Sequence, residues 1–252
     1  MVTPMEHNPR GLPADIAQRL IVALDVPSIA EARRVVERLD GTVSFYKLGL
    51  WLAFASGVDG LITDLVSSGK QVFLDAKMYD IGRTVEEGVA RAADRGVSFV
   101  TVHGDAAIIG AAVRGKRGSN LKVLGVTVLT SLGDRELWEM GYRLGARELV
   151  HLRVAEAVKH GCDGIVAAAH DDPDAIRRAA GAASLLIATP GIRSADDPPD
   201  DHRRIATAGQ AIAAGADYLV VGRPIIGQPD PAARARQIIG EMRQAEARLS
   251  GR

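Results

Sequence analysis

Gly96-Val97-Ser98-Phe99-Val100, residues 96–100, is built as a joint: a glycine able to end a helix in the left-handed conformation, then a short link, then the start of an apolar strand. The pattern returns at Gly161-Cys162-Asp163-Gly164-Ile165-Val166 and at Gly215-Ala216-Asp217-Tyr218-Leu219-Val220. These joints lie 65 and 54 residues apart, about the length of two strand-helix units. Outward from them, short runs rich in Val, Ile, Leu and Phe alternate with longer stretches of helical periodicity, the pattern of βαβ units carrying a parallel sheet. Strands are expected at 20–25, 44–49, 71–77, 99–104, 122–129, 164–169, 184–190 and 218–222, with helices such as 29–39 and 85–95 between them. Eight units predict an α/β fold, a single (β/α)8 TIM barrel.

The 252-residue length suits one such core, since a closed barrel uses about 250 residues. No Pro/Gly/Ser-rich tract divides it; residues 1–16 read as a flexible leader and 17–252 as the barrel domain. With 47% hydrophobic and 25% charged residues, disordered and collagenous classes are excluded. Cys162 is the sole cysteine, so neither a disulfide nor a structural zinc site is supported. Lys+Arg 31 balances Asp+Glu 31, which leaves no cationic field for a nucleic acid or an anionic membrane. Residues 1–13 lack the apolar core of a secretory signal and no run approaches the ~20 residues needed to span a bilayer, so a cytoplasmic location is expected. The stretch 191–202, acidic from Asp196 to Asp201, reads as a long mobile loop on the catalytic face, placed to act as a lid. It lacks the alternating acids and glycine of a calcium loop.

Asp75-Ala76-Lys77-Met78-Tyr79-Asp80 closes the third strand, and residues two apart on a strand share a face, so Asp75 and Lys77 point together. Lys47, at the end of the second strand, reaches the same mouth. Each charge alone reads as an ordinary rim salt bridge. Together they read as a functional cluster, because an apolar strand ending in inward ionised groups carries a desolvation cost of several kcal/mol per ion unless they are paired. Pro190-Gly191-Ile192-Arg193 and Val221-Gly222-Arg223-Pro224 follow strands seven and eight, where barrels often hold phosphate. Gly222 offers backbone N–H groups, and Arg193 and Arg223 offer forked donors. The competing readings are pairing of Arg193 with Asp196 or Asp197 and helix capping by Arg223. Asp25 either accepts from a ligand hydroxyl or caps the first helix. Thr130 and Ser131 present hydroxyls to a polar ring or merely shape a turn. His103 reads as a hydrogen-bonded rim histidine, and Asp171-Asp172-Pro173-Asp174 as a helix start.

In chain order Lys47, the Asp75-x-Lys77-x-x-Asp80-Ile81 run with Thr84, Val128-Leu129-Thr130-Ser131, Pro190-Gly191-Ile192-Arg193 and Asp217-Tyr218 leading to Val221-Gly222-Arg223-Pro224-Ile225 resemble the orotidine 5′-phosphate decarboxylase family. The resemblance covers nearly the whole barrel. It implies conversion of orotidine 5′-phosphate to uridine 5′-phosphate without metal or organic cofactor. By position, it implies that Asp25 and Lys47 meet ribose hydroxyls, that Lys47 also orients Asp75, and that Lys77 is the proton donor. Thr130 and Ser131 would meet the pyrimidine, and Arg193 and Arg223 the phosphate. Asp80 and Thr84 would enter the site of a second subunit, making a homodimer the catalytic unit. Tyr79 stands where the family usually has histidine, Gly82-Arg83 where Pro-Asn is frequent, and Ala76 where a bulkier apolar residue is usual. His202 takes the place of a phosphate-contacting glutamine, which implies a pH-dependent grip.

Two other readings compete. A metal-dependent sugar-phosphate decarboxylase or aldolase of the same suprafamily shares the Asp-x-Lys-x-x-Asp run, but Lys47 stands where a carboxylate ligand is sought. A catalytically silent phosphate-binding barrel is the other.

Overall fold

A computed structural model describes residues 8–194 and 205–251. The eight strands are β1 (Leu20–Ala23), β2 (Phe45–Leu48), β3 (Gln71–Met78), β4 (Phe99–His103), β5 (Lys122–Val126), β6 (Gly164–Val166), β7 (Leu186–Thr189) and β8 (Tyr218–Val221). They form a closed parallel barrel in sequence order, β8 returning to β1. Among the helices outside it are α1 (Ile29–Arg38), α2 (Leu50–Ala53), α3 (Val58–Ser67), α4 (Gly82–Asp94), α5 (Ala106–Gly115), α6 (Asp134–Glu139) and α7 (Ala146–Lys159). After β6 come α8 (Pro173–Ala179), α9 (Ala208–Ala213), α10 (Arg223–Ile226) and α11 (Pro231–Ser250). The (β/α)8 expectation stands. Gly96, Gly161 and Gly215 all have positive φ, so the three joints end their helices as the sequence predicts. Asp172 caps α8, accepting from the Ala175 N–H at 3.2 Å with Pro173 next in the chain.

Each strand alternates between two cores. Leu20, Val22, Tyr46, Val72, Val100 and Leu219 face the helices. Ile21, Phe45, Phe73, Phe99, Leu124 and Tyr218 fill the barrel. Within it, the Phe99 ring meets Phe45 and Tyr218 edge-on at 5.0 Å each and Phe73 at 5.9 Å. These pairs form an apolar floor, and two residues further along three of the strands come Lys47, Asp75 and Thr101. The site is therefore the layer above a packed plug.

Several strands end earlier than the sequence predicts. β5 stops at Val126 and β6 at Val166, where 129 and 169 were expected. The residues past these ends build the rim, Thr127 donating to the Val166 carbonyl through its N–H at 3.3 Å and its hydroxyl at 2.8 Å. At the opposite end of the barrel, fully buried Asp217 pairs with Arg10 at 2.7 Å and Arg177 at 2.9 Å, and accepts from the Ile187 N–H. Arg10 belongs to the segment expected to be a leader, as does buried Ile16. The acidic part of the proposed lid, Asp196 to Asp201, lies outside the described residues, as does His202.

Candidate active site

A cavity of about 540 Å³ opens at the C-terminal ends of the strands. That volume falls in the range of small-molecule sites, roughly 300–1,000 Å³. Its wall brings together Asp25, Lys47, Asp75, Lys77, Thr130, Ser131, Arg193, Gly222 and Arg223, residues spread over almost 200 positions of the chain. Phe73, Ala23 and Val220 contribute the floor.

On the β1–β3 side the charges are interlocked. Lys47 Nζ lies 3.2 Å from Asp25 Oδ1 and 3.4 Å from Asp75 Oδ2, and Lys77 Nζ lies 2.8 Å from the same Asp75 Oδ2. Asp25 is thus a partner of Lys47, and the capping alternative falls to Ser28, whose hydroxyl accepts from the Glu31 N–H at the start of α1. The Asp75 side chain is only 13% exposed. Burial pushes its carboxyl upward, but the attraction of Lys47 and Lys77, with hydrogen bonds from Lys77 and Thr101, outweighs burial and holds it below the usual carboxylate range. The group is therefore a compensated carboxylate, ionised at neutral pH.

The shared face of Asp75 and Lys77 survives an irregularity that simple alternation does not foresee. Leu74 is opposite Val100 and Met78 opposite Val102, so β3 takes four steps where β4 takes two. Two extra residues preserve the parity of the pleat, whereas one would have turned Lys77 away. Within this bulge Lys77 adopts φ +45°, a left-handed conformation uncommon outside glycine. Its N–H donates to Thr101 Oγ1 at 3.0 Å, and the Thr101 hydroxyl donates to Asp75 Oδ1 at 2.8 Å.

Thr101 escaped the sequence reading. Its signal was a polar residue between Val100 and Val102, at the inward parity of a buried strand. Gly49 escaped as well: a Cβ there would stand 2.9 Å from Asp25 Oδ1 and 3.3 Å from Lys47 Nζ, so a side chain would displace the pair. Trp51, also unforeseen, is an exposed aromatic on the cavity rim.

On the β7–β8 side, Ile192 bridges Ala206 in parallel, the Arg193 N–H donating to the Ala206 carbonyl and the Ala206 N–H to the Gly191 carbonyl. This clasp fixes Arg193, which is buried at the cavity wall. Arg223 opens α10 directly after Gly222. Arg193 and Arg223 thus line the same cavity as the lysine-aspartate cluster, an arrangement suited to an anionic ligand with a polar body.

A model of the "Orotidine 5′-phosphate decarboxylase / HUMPS family" matches residues 18–238. A protein of Methylorubrum populi named orotidine 5′-phosphate decarboxylase is 49% identical over 229 residues, covering 91% of this chain and 97% of that protein. One of the same name from Afipia carboxidovorans is 46% identical over 230 residues, with coverage of 91% and 97%. The crystal structure of orotidine 5′-phosphate decarboxylase from Lactobacillus acidophilus superposes with a TM-score of 0.78 at 32% identity, covering 89% of this chain and 99% of that one. The chain belongs to the orotidine 5′-phosphate decarboxylase / HUMPS family.

In this family member Asp80 and Thr84 do not line the chain's own cavity. Both are exposed, Asp80 accepting from the Ile81 N–H at 2.6 Å and Thr84 lying in the first turn of α4. Tyr79 packs against His103 with ring centroids 4.8 Å apart and the ring planes tilted by 54°. His103 lies on the rim at the end of β4 as expected, but its buried Nδ1 makes no hydrogen bond among the described residues, and Asp105 Oδ2 is 3.8 Å away. Burial, then the neighbouring Arg153 and Lys77 charges, lower the imidazole's pKa against the opposing pull of Asp105, which keeps it neutral at pH 7.

Proposed function

We propose that this family member decarboxylates orotidine 5′-phosphate to uridine 5′-phosphate and carbon dioxide. The observation that carries the reading is the Lys47-Asp75-Lys77 chain of contacts at 3.4 and 2.8 Å in a cavity that also holds Arg193 and Arg223. Relatives of the same name at 46–49% identity over nine-tenths of the chain support it.

The phosphate is assigned to Arg193, Arg223 and the backbone at Gly222, with His202 as a further contact. Ribose hydroxyls are assigned to Asp25 and Lys47, and the pyrimidine to Thr130 and Ser131. The substrate carboxylate would then face Asp75. Two unit charges about 4 Å apart repel by about 4 kcal/mol at an effective dielectric near 20. Breaking the bond between C6 and the carboxyl carbon releases neutral carbon dioxide and removes that repulsion. The electron pair stays on C6, beside the Lys77 ammonium. Lys77 stabilises it electrostatically, transfers one proton to C6, and regains a proton from solvent. Phosphate binding remote from the reacting carbon contributes through orientation.

No metal or organic cofactor enters this scheme. Among the described residues the carboxylates on the cavity wall are Asp25 and Asp75, both held by Lys47, a donor set that disfavours a divalent cation. A homodimer is proposed as the catalytic unit, Asp80 and Thr84 completing the partner's site. Supporting this, Asp80 is flanked by Tyr79 and Ile81, large side chains 67% and 72% exposed. We assign the activity to the cytoplasm, the reducing compartment that suits a lone, buried Cys162.

The test is loss of the orotate chromophore when purified protein meets orotidine 5′-phosphate in excess chelator. Steady loss is expected. Turnover abolished by the chelator and restored by magnesium would favour the metal-dependent relatives, and binding without turnover a silent barrel.

A further inference from the structure

The Thr101 hydroxyl is bonded to both members of the Asp75/Lys77 pair, and its bonds have only one possible direction. A backbone N–H can only donate, so Thr101 Oγ1 accepts from Lys77 N at 3.0 Å; an ionised carboxylate can only accept, so the hydroxyl proton goes to Asp75 Oδ1 at 2.8 Å. Occupying Oδ1 leaves Asp75 Oδ2 to receive both ammonium groups, Lys77 at 2.8 Å and Lys47 at 3.4 Å. The bond to Lys77 N does a second thing. In a regular parallel ladder an N–H directed at the neighbouring strand meets a backbone carbonyl, but the extra residues of β3 between Leu74 and Met78 break that pairing. The side chain of Thr101 takes the carbonyl's place and meets the backbone of Lys77 at its φ of +45°. Thr101 is fully buried, so solvent is poorly placed to replace it.

We propose that Thr101 is a positioning residue for the decarboxylation, one hydroxyl that sets the rotation of the Asp75 carboxylate and the backbone from which Lys77 reaches the substrate. The inference rests on the function proposed above. Without the hydroxyl, Asp75 is free to turn and share both oxygens between the lysines. The Lys77 N–H also loses its acceptor, and the ammonium shifts relative to the reacting carbon. The phosphate contacts are assigned to the β7–β8 side, and Lys47 keeps its bond to Asp25, so the defect belongs mainly in the chemical step.

Thr101→Val keeps the shape and the strand preference of the side chain while deleting the hydroxyl. It is expected to lower kcat about 10- to 100-fold, the scale of a misplaced catalytic group, with KM within about threefold of wild type. Thr101→Ser, which restores the hydroxyl, is expected to recover kcat to within about threefold of wild type. A Val variant with wild-type kcat, a loss confined to KM, or a Ser variant as impaired as Val would overturn the proposal. Should the Val variant fail to fold, Thr101→Cys, similar in size but a weak donor, replaces it with the same expected split and the same overturning results. A crystal structure of the Val or Cys variant decides the point independently of activity: Asp75 turned so that the two lysines no longer share Oδ2, and Lys77 out of the left-handed region, support the assignment, and both unchanged refute it. If the wild-type protein fails to turn over orotidine 5′-phosphate, the functional reading falls while that structure still judges Thr101.

Discussion

Asp75 and Lys77 illustrate how a buried charge is kept. Burial opposes ionisation of Asp75, and the two lysines and the Thr101 hydroxyl more than compensate, so the carboxyl titrates below its ordinary value. For a lowered carboxyl the stabilising contribution is present above the unfolded value, about 3.9, and is lost as pH falls through the folded value. The Tm difference between wild type and Asp75→Asn should therefore change with pH only below about 4 and stay flat from about pH 5 to 8. A difference that drifts across pH 5–8 in thermal unfolding would show that Asp75 is not the ionised partner described. Lys77→Ala should reduce turnover by at least about 100-fold, the lower end of what a positioned proton donor contributes. Near-normal turnover in metal-stripped protein would remove Lys77 from the donor role.

At the scale of elements, the position of the site depends on β3 making an even-numbered departure from its neighbour. Periodicity in Phe73, Asp75 and Lys77 was legible as alternation, and the bulge was not, because register is a property of two strands rather than of one. Close helix packing sets a second constraint. A Cβ at Gly115, the last residue of α5, would stand 2.4 Å from the Glu86 carbonyl oxygen and 2.9 Å from Val89 Cβ on α4. Gly115→Ala gains helix propensity of at most about 1 kcal/mol but must push the helices apart, an overpacking cost of about 1–3 kcal/mol. A net loss of about 1–2 kcal/mol, read as a Tm roughly 2–8 °C lower, is expected by differential scanning calorimetry. A raised Tm would mean that α4 yields freely.

For the whole molecule, the proposed shared site has a numerical consequence. Lys77→Ala and Asp80→Ala lie in different subunits' contributions to one site, so a mixed dimer contains one site with both defects and one with neither. Free exchange of two inactive proteins should restore about a quarter of wild-type specific activity, because half the dimers are mixed and one site in each is intact. No recovery despite demonstrated exchange would place Asp80 outside the partner's site. Much of this architecture was readable in advance. Eight apolar runs spaced by helical stretches, three glycine joints and the order of Lys47, Asp75, Lys77, Arg193 and Arg223 together specify a barrel with charged groups at one end, since strand and helix periods are local properties of the chain. Only the folded molecule decided that Thr101 serves both Asp75 and Lys77, that Gly49 leaves room for the Asp25-Lys47 pair, and that Arg10 reaches across to Asp217. Those contacts join residues 22 to 207 positions apart, and their existence depends on strand register and barrel closure, which bring distant side chains within hydrogen-bond range.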